Sequence, residues 1–192
     1  MAKARAIPGL NEEDPYAAVA AKVVAIRASE LAEHSAGVLD TKDIERLHDM
    51  RVATRRLRAA LEVFEPCFPR KRFKAVLREV KDLADALGER RDRDVTIAAL
   101  DDFCAEIGRA DRRGVQSLIT RVRDEQAEAN LALTAYLSDD RLTGLAERFD
   151  ELVAAAAARV AAPEPELEQP PSRAELPGEP RVAISVNGGG AD

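Results

Sequence analysis

Apolar side chains recur at helical spacing through most of the chain. Between residues 44 and 64, Ile44, Leu47, Met50, Leu57, Leu61 and Phe64 fall on one side of a helix projected at 100° per residue, with polar residues filling the rest. Phe73, Leu77, Val80, Ala84 and Leu87 repeat the pattern on the next segment. Further along, Leu118, Val122, Leu133 and Leu137 form one set and Leu142, Leu145, Phe149 and Leu152 another. No strand is needed to account for any of these segments.

The breaks between the periodic stretches divide the chain. Residues 1–14 are polar and proline-interrupted and read as a flexible N-terminus, after which Asp14-Pro15 resembles an N-cap followed by proline in the first helical turn. A first helix is expected to about Val38, and a second opens near Thr41 to Asp43 and runs to Phe64, where Pro66 and Pro69 stop it. A third spans about Arg70 to Leu87, with Gly88 as its natural end and Asp92 or Asp94 as the cap of a fourth that reaches about Ile107. Gly108 and Gly114 then bracket a loop, and two more helices cover residues 115–137 and 141–161. The expectation is an all-α fold, an antiparallel bundle of about six helices over residues 15–162. Residues 163–192, rich in proline, glutamate and glycine, read as a disordered acidic tail.

Composition changes this picture in one respect. The low aromatic content of 4% and the absence of tryptophan suit helices. The net charge of −6 argues against a nucleic-acid or membrane partner. Yet about eleven Arg and Lys stand against about four Asp and Glu between Arg46 and Lys81, so the middle of an acidic protein is locally basic. Cys67 and Cys104 have neither disulfide-framework nor thiolate-metal spacing, which points to a cytoplasmic chain. The N-terminus lacks the apolar core of a signal peptide. No apolar run reaches the ~20 residues that a membrane span requires.

The basic residues are ordered. His48, Arg51, Arg55 and Arg58 follow spacings of three, four and three and so share one face of the second helix. Lys71, Lys74, Arg78 and Lys81 share a flank of the third, and Arg90 and Arg91 lie just beyond Gly88. Two antiparallel helices so decorated would form the walls of a basic groove. Guanidinium groups grip phosphate oxygens bidentately and stay charged at physiological pH. Exposed contacts are worth about 0.2–1 kcal/mol each, so useful affinity needs many at once, as a polymer provides. The ordinary reading, a solvated helix face laced with i,i+4 pairs, is weakened because Arg51, Arg55 and Arg58 have only Glu62 as an acid in their own stripe. His48 and His34 lack a surrounding cluster of carboxylates, so neither a metal site nor a catalytic role is expected, and no cofactor is implied.

The run Leu47-His48-Asp49-Met50-Arg51-Val52-Ala53-Thr54-Arg55-Arg56-Leu57-Arg58, followed by Leu87-Gly88-Glu89-Arg90-Arg91-Asp92-Arg93-Asp94-Val95, resembles the CHAD family, the conserved histidine α-helical domain. The resemblance covers about residues 15–160, roughly the N-terminal half of a full-length member. It implies two related four-helix bundles around a basic pocket that binds inorganic polyphosphate without catalysis, in proteins that accompany a triphosphate-tunnel (CYTH) domain or polyphosphate granules. On that likeness His48, Arg51, Arg55, Arg56 and Arg58 belong to the binding motif, and Arg91 and Asp92 match the family's Leu-Gly-x-x-Arg-Asp element; the charge-dense turn itself suggests that Asp92 or Asp94 orients an arginine. A second His/Arg/Lys-bearing helix does not follow, so a homodimer, or association with a CHAD/CYTH protein, would complete the groove. The alternatives are a helical adaptor that docks on an acidic partner and, less favoured, a polyphosphate-processing enzyme.

Overall fold

The computed structural model describes residues 3–161 and contains, among them, five α-helices and no strand. They are α1 (Tyr16–Glu33), α2 (Ile44–Val63), α3 (Arg70–Glu106), α4 (Arg109–Thr134) and α5 (Asp139–Ala161), with a 3₁₀ turn at Glu65–Cys67 where Pro66 ends α2. The expected tail at 163–192, with its Val182–Val186 segment, lies outside the described residues.

Four of the helices close a ring: α1 packs on α2, α2 on α3, α3 on α5, and α5 back on α1. Leu47, Met50, Leu57 and Leu61 of α2 are fully buried in its core. They meet Ala20, Val24 and Leu31 of α1, Phe73, Val76, Val80, Leu83 and Leu87 of α3, and Leu145, Phe149, Leu152 and Ala156 of α5. Such apolar stripes have no other place to go out of water, and each fully buried Leu or Phe stabilises the fold by about 1.5–3 kcal/mol. The helix α4 packs chiefly on α3 and sends only Leu133, near its C-terminal end, into that core. The distal half of α3 and most of α4 therefore make a two-helix hairpin that leaves the bundle.

Several expected boundaries are corrected. The helix expected over Arg70–Leu87 and the one expected to open at Asp92 or Asp94 and reach about Ile107 are one helix of 37 residues, about 55 Å long. Gly88 does not end it, because its backbone is helical and the only positive φ angles among the described residues belong to Gly9 and Gly37. One interior glycine costs about 1 kcal/mol, too little to break a helix packed on three others. Asp94 consequently caps nothing and is buried. The stop lies instead at Gly108, the N-cap of α4, and Gly114 is helical. Helix α1 ends at Glu33, five residues early, because Gly37 takes a φ of 74° and the Ser35 hydroxyl donates to the Ala32 carbonyl at 2.7 Å, folding Val38 back into the core. Asp14 does not cap α1. Its carboxylate accepts from the Asn11 amide and from Lys22, whose Nζ also donates to the Gly9 carbonyl, and the Lys22 bond foremost holds the carboxyl below its ordinary pKa.

Candidate functional site

The antiparallel pair α2 and α3 leaves an open cleft of about 390 Å3. Arg51, Arg55 and Arg58 line it from α2, at the spacings of four and three that keep them on one face. Across from them stand Ala84, Asp85, Gly88, Glu89 and Asp92 of α3. The small residues Ala84 and Gly88 open the floor, and a Cβ placed on Gly88 would meet nothing within 4 Å. Arg51 and Arg55 make no hydrogen bond or ion pair among the described residues, and the carboxylates of Asp85, Glu89 and Asp92 make none either. Opposed charges thus face each other across water without closing into pairs.

The α3 wall differs from expectation. Lys74, Arg78 and Lys81 lie on the same helical line as Asp85, Gly88 and Asp92, so that line changes sign where it enters the cleft. At the changeover, Glu62 of α2 accepts from Arg58 Nε at 3.0 Å and sits 3.6 Å from Lys81 Nζ. The Arg58 hydrogen bond, helped by the charge of Lys81, holds the Glu62 carboxyl below its usual range. All three side chains remain about half exposed. Lys71, Lys74 and Arg78 lie farther toward the start of α3, away from the cleft lining.

The remaining expected site residues lie elsewhere. His48 is half-buried on α2 outside the cleft lining. Arg56 is half-buried toward α1, where its charge adds to the environment of Glu30. Burial raises the pKa of Glu30, but hydrogen bonds from the Arg5 amide and from Arg27 at 2.7 Å outweigh it and leave the carboxyl below its ordinary value. Arg91 is half-buried and donates to the Ile44 carbonyl at 3.2 Å, pinning the first turn of α2 to α3. Asp92 lines the cleft and orients no arginine by contact.

Arg90 is the clearest correction, since its side chain is wholly buried and does not belong to the anion surface. Its Nε donates to Asp94 Oδ1 at 3.0 Å and its Nη1 to Asn130 Oδ1 at 2.6 Å, while Gln126 Nε2 donates to the same Asp94 oxygen at 2.5 Å. Asn130 in turn donates to the Leu39 carbonyl at 3.0 Å, so the network fastens α4 to α3 and to the loop before α2. Arg90 Nη2 and Asp94 Oδ2 have no partner among the described residues. The sequence pattern alone did not expose this hub, although the i,i+4 spacing of Arg90 and Asp94 signals the pair. Nor did it single out Asp85 and Glu89, whose i,i+4,i+7 relation with Asp92 marks a carboxylate stripe.

The CHAD domain family model matches residues 22–183, which is most of the chain. The chain belongs to the CHAD family. The match takes in all of α2 and α3, and therefore both walls of the cleft. No curated protein and no solved structure matches this CHAD chain. Among the described residues no group of His, Cys, Asp or Glu is arranged to hold a metal ion, and no helix is long and apolar enough to cross a membrane.

Proposed function

We propose that this CHAD chain is a non-catalytic binder of inorganic polyphosphate, held by the arginine wall of the α2–α3 cleft. The observation that carries the reading is the pair Arg51 and Arg55, which present unpaired guanidinium groups in an open cleft where nothing among the described residues neutralises them by contact. Arg58 and Lys81 extend the row past Glu62, and Arg78, Lys74 and Lys71 continue it along α3. The row follows a helix pitch of ~5.4 Å per turn, so successive guanidinium groups would meet successive segments of one polymer. Contacts of about 0.2–1 kcal/mol each favour long chains over orthophosphate. Membership of the CHAD family supports polyphosphate over other phosphate polymers.

The cleft is open on one side, so a second copy of the chain would supply another row of arginines to the uncovered face of the polymer. A homodimer on the ligand, rather than before it, is the arrangement this favours. Cytoplasmic polyphosphate granules are the place where such a binder would act.

The test is binding of long-chain polyphosphate by the purified protein at two salt concentrations, with the mass of the complex read in the same run. Affinity should rise with chain length and fall steeply with salt, since each phosphate contact releases counterions. Arg51→Ala/Arg55→Ala should lower affinity by about 2- to 30-fold, as expected for two lost contacts of about 0.2–1 kcal/mol each. Absence of binding at low salt would overturn the reading and leave a helical adaptor, whose Arg51→Glu variant would lose a protein partner instead.

A further inference from the structure

We infer that the carboxylate stripe Asp85, Glu89 and Asp92 is a specificity gate, which keeps the arginine wall from holding polyanions of lower charge density than polyphosphate. The inference rests on the polyphosphate reading and concerns the same cleft.

The geometry behind it is simple. Three guanidinium groups on α2 face three carboxylates on α3, and no pair across the cleft closes into an ion pair. The charges in the lining therefore cancel at long range, and an approaching anion feels little net attraction until it touches the guanidinium groups themselves. At that distance it must also lie beside the three carboxylates, which line an open cleft and repel it. Direct guanidinium contact is short-ranged, whereas the carboxylates act across the open, solvent-screened cleft, so a ligand gains only when its anionic groups lie close enough together to touch several arginines at once. Polyphosphate carries its charges along a chain with nothing between the phosphates. A single-stranded nucleic acid spreads its charges over a longer, sugar-spaced backbone, and neither wall of the cleft offers an aromatic face on which a base could stack. Carboxylates so placed would otherwise be a liability in an anion site. Asp85, Glu89 and Asp92 pair with nothing among the described residues, so holding the fold together does not account for them.

The experiment compares the wild-type chain with Asp85→Asn/Glu89→Gln/Asp92→Asn for binding to long-chain polyphosphate and to single-stranded DNA of matched length in the same buffer. Far-ultraviolet circular dichroism checks that both are folded, and Asp92→Asn alone serves as a milder second variant. The triple variant is expected to bind polyphosphate about 3- to 160-fold more tightly, the range for three removed like charges each worth as much as an exposed ion pair. It is also expected to gain salt-sensitive binding to DNA that the wild type lacks. Tighter binding of polyphosphate together with the gain on DNA establishes the gate. Equal affinities in wild type and variant overturn the gate while leaving polyphosphate binding intact. Tighter polyphosphate binding with no gain on DNA also overturns it, since the carboxylates then weaken binding without selecting. No binding of polyphosphate by the wild type overturns the binding reading and the gate with it.

Discussion

Arg90 shows how little a residue's chemistry says until its surroundings are known. It stands beside Arg91 and Arg93 in a run of charges, yet it is the largest fully buried side chain among the described residues. Its Nε and Nη1 donate to Asp94 and Asn130 and the side chain is sealed from solvent, so it serves α4 rather than a ligand. Removing one partner of such a pair strands the other charge in the interior, which costs more than the pair itself contributes. Arg90→Met is therefore expected to lower stability to urea by about 3–5 kcal/mol. The double variant Arg90→Met/Asp94→Leu should lose less than Arg90→Met alone, because it leaves no lone charge behind. A loss below about 1 kcal/mol for Arg90→Met would mean that water reaches Asp94 and that the hub is not closed.

At the scale of elements, most of the helices are legible in the sequence and one junction is not. The stripe of Leu47, Met50, Leu57 and Leu61 places α2 to within a few residues, and the clustered prolines after Phe64 mark its end. Arg51, Arg55 and Arg58 are legible as a row because a helix makes spacing into geometry. The opposite wall is not, because a count of basic residues on α3 does not reveal that their line turns acidic beyond Lys81. Nor does Gly88 announce that it sits inside a helix, since glycine is as common after helix ends as it is costly within them. Two substitutions separate these roles. At Gly88 the backbone is helical and a Cβ meets open space, so Gly88→Ala should raise stability by about 0.5–1 kcal/mol in urea unfolding. A helix stop with positive φ would give the opposite sign. Gly37 is that opposite case, with a φ of 74° and Arg46 Cδ only 3.0 Å from where a β-carbon would stand, so Gly37→Ala should destabilise by about 1 kcal/mol or more.

The whole molecule is unevenly held, and its folding energy should be too. The continuous apolar core runs from Ala20 through Leu87 and resumes at Leu133, with no core member between those two positions. Over that interval α3 and α4 are held by the Arg90 hub, by Ile119 and Val122, and by surface ion pairs such as Arg123–Asp101 at 3.3 Å. Phe103 and Leu118 stay about half exposed there. Exposed pairs contribute little, and a two-helix hairpin without a third layer buries only one stripe of each helix. The hairpin beyond Asp94 should therefore open locally at a free energy well below that of global unfolding, while α2 opens only with the whole bundle. Native-state hydrogen exchange is expected to show amides of residues 97–124 exchanging at least about tenfold faster than those of residues 50–61, with the boundary falling at the Arg90–Asp94–Gln126 network. The cleft lies on the slow side of that boundary, since Arg51, Arg55 and Arg58 are carried by α2 and their partner wall ends at Asp92. Polyphosphate binding should accordingly slow exchange in the bundle and leave the distal hairpin unchanged. Equal protection across α3 from end to end would mean that the hairpin unfolds only with the core, and that something other than the apolar stripe holds it.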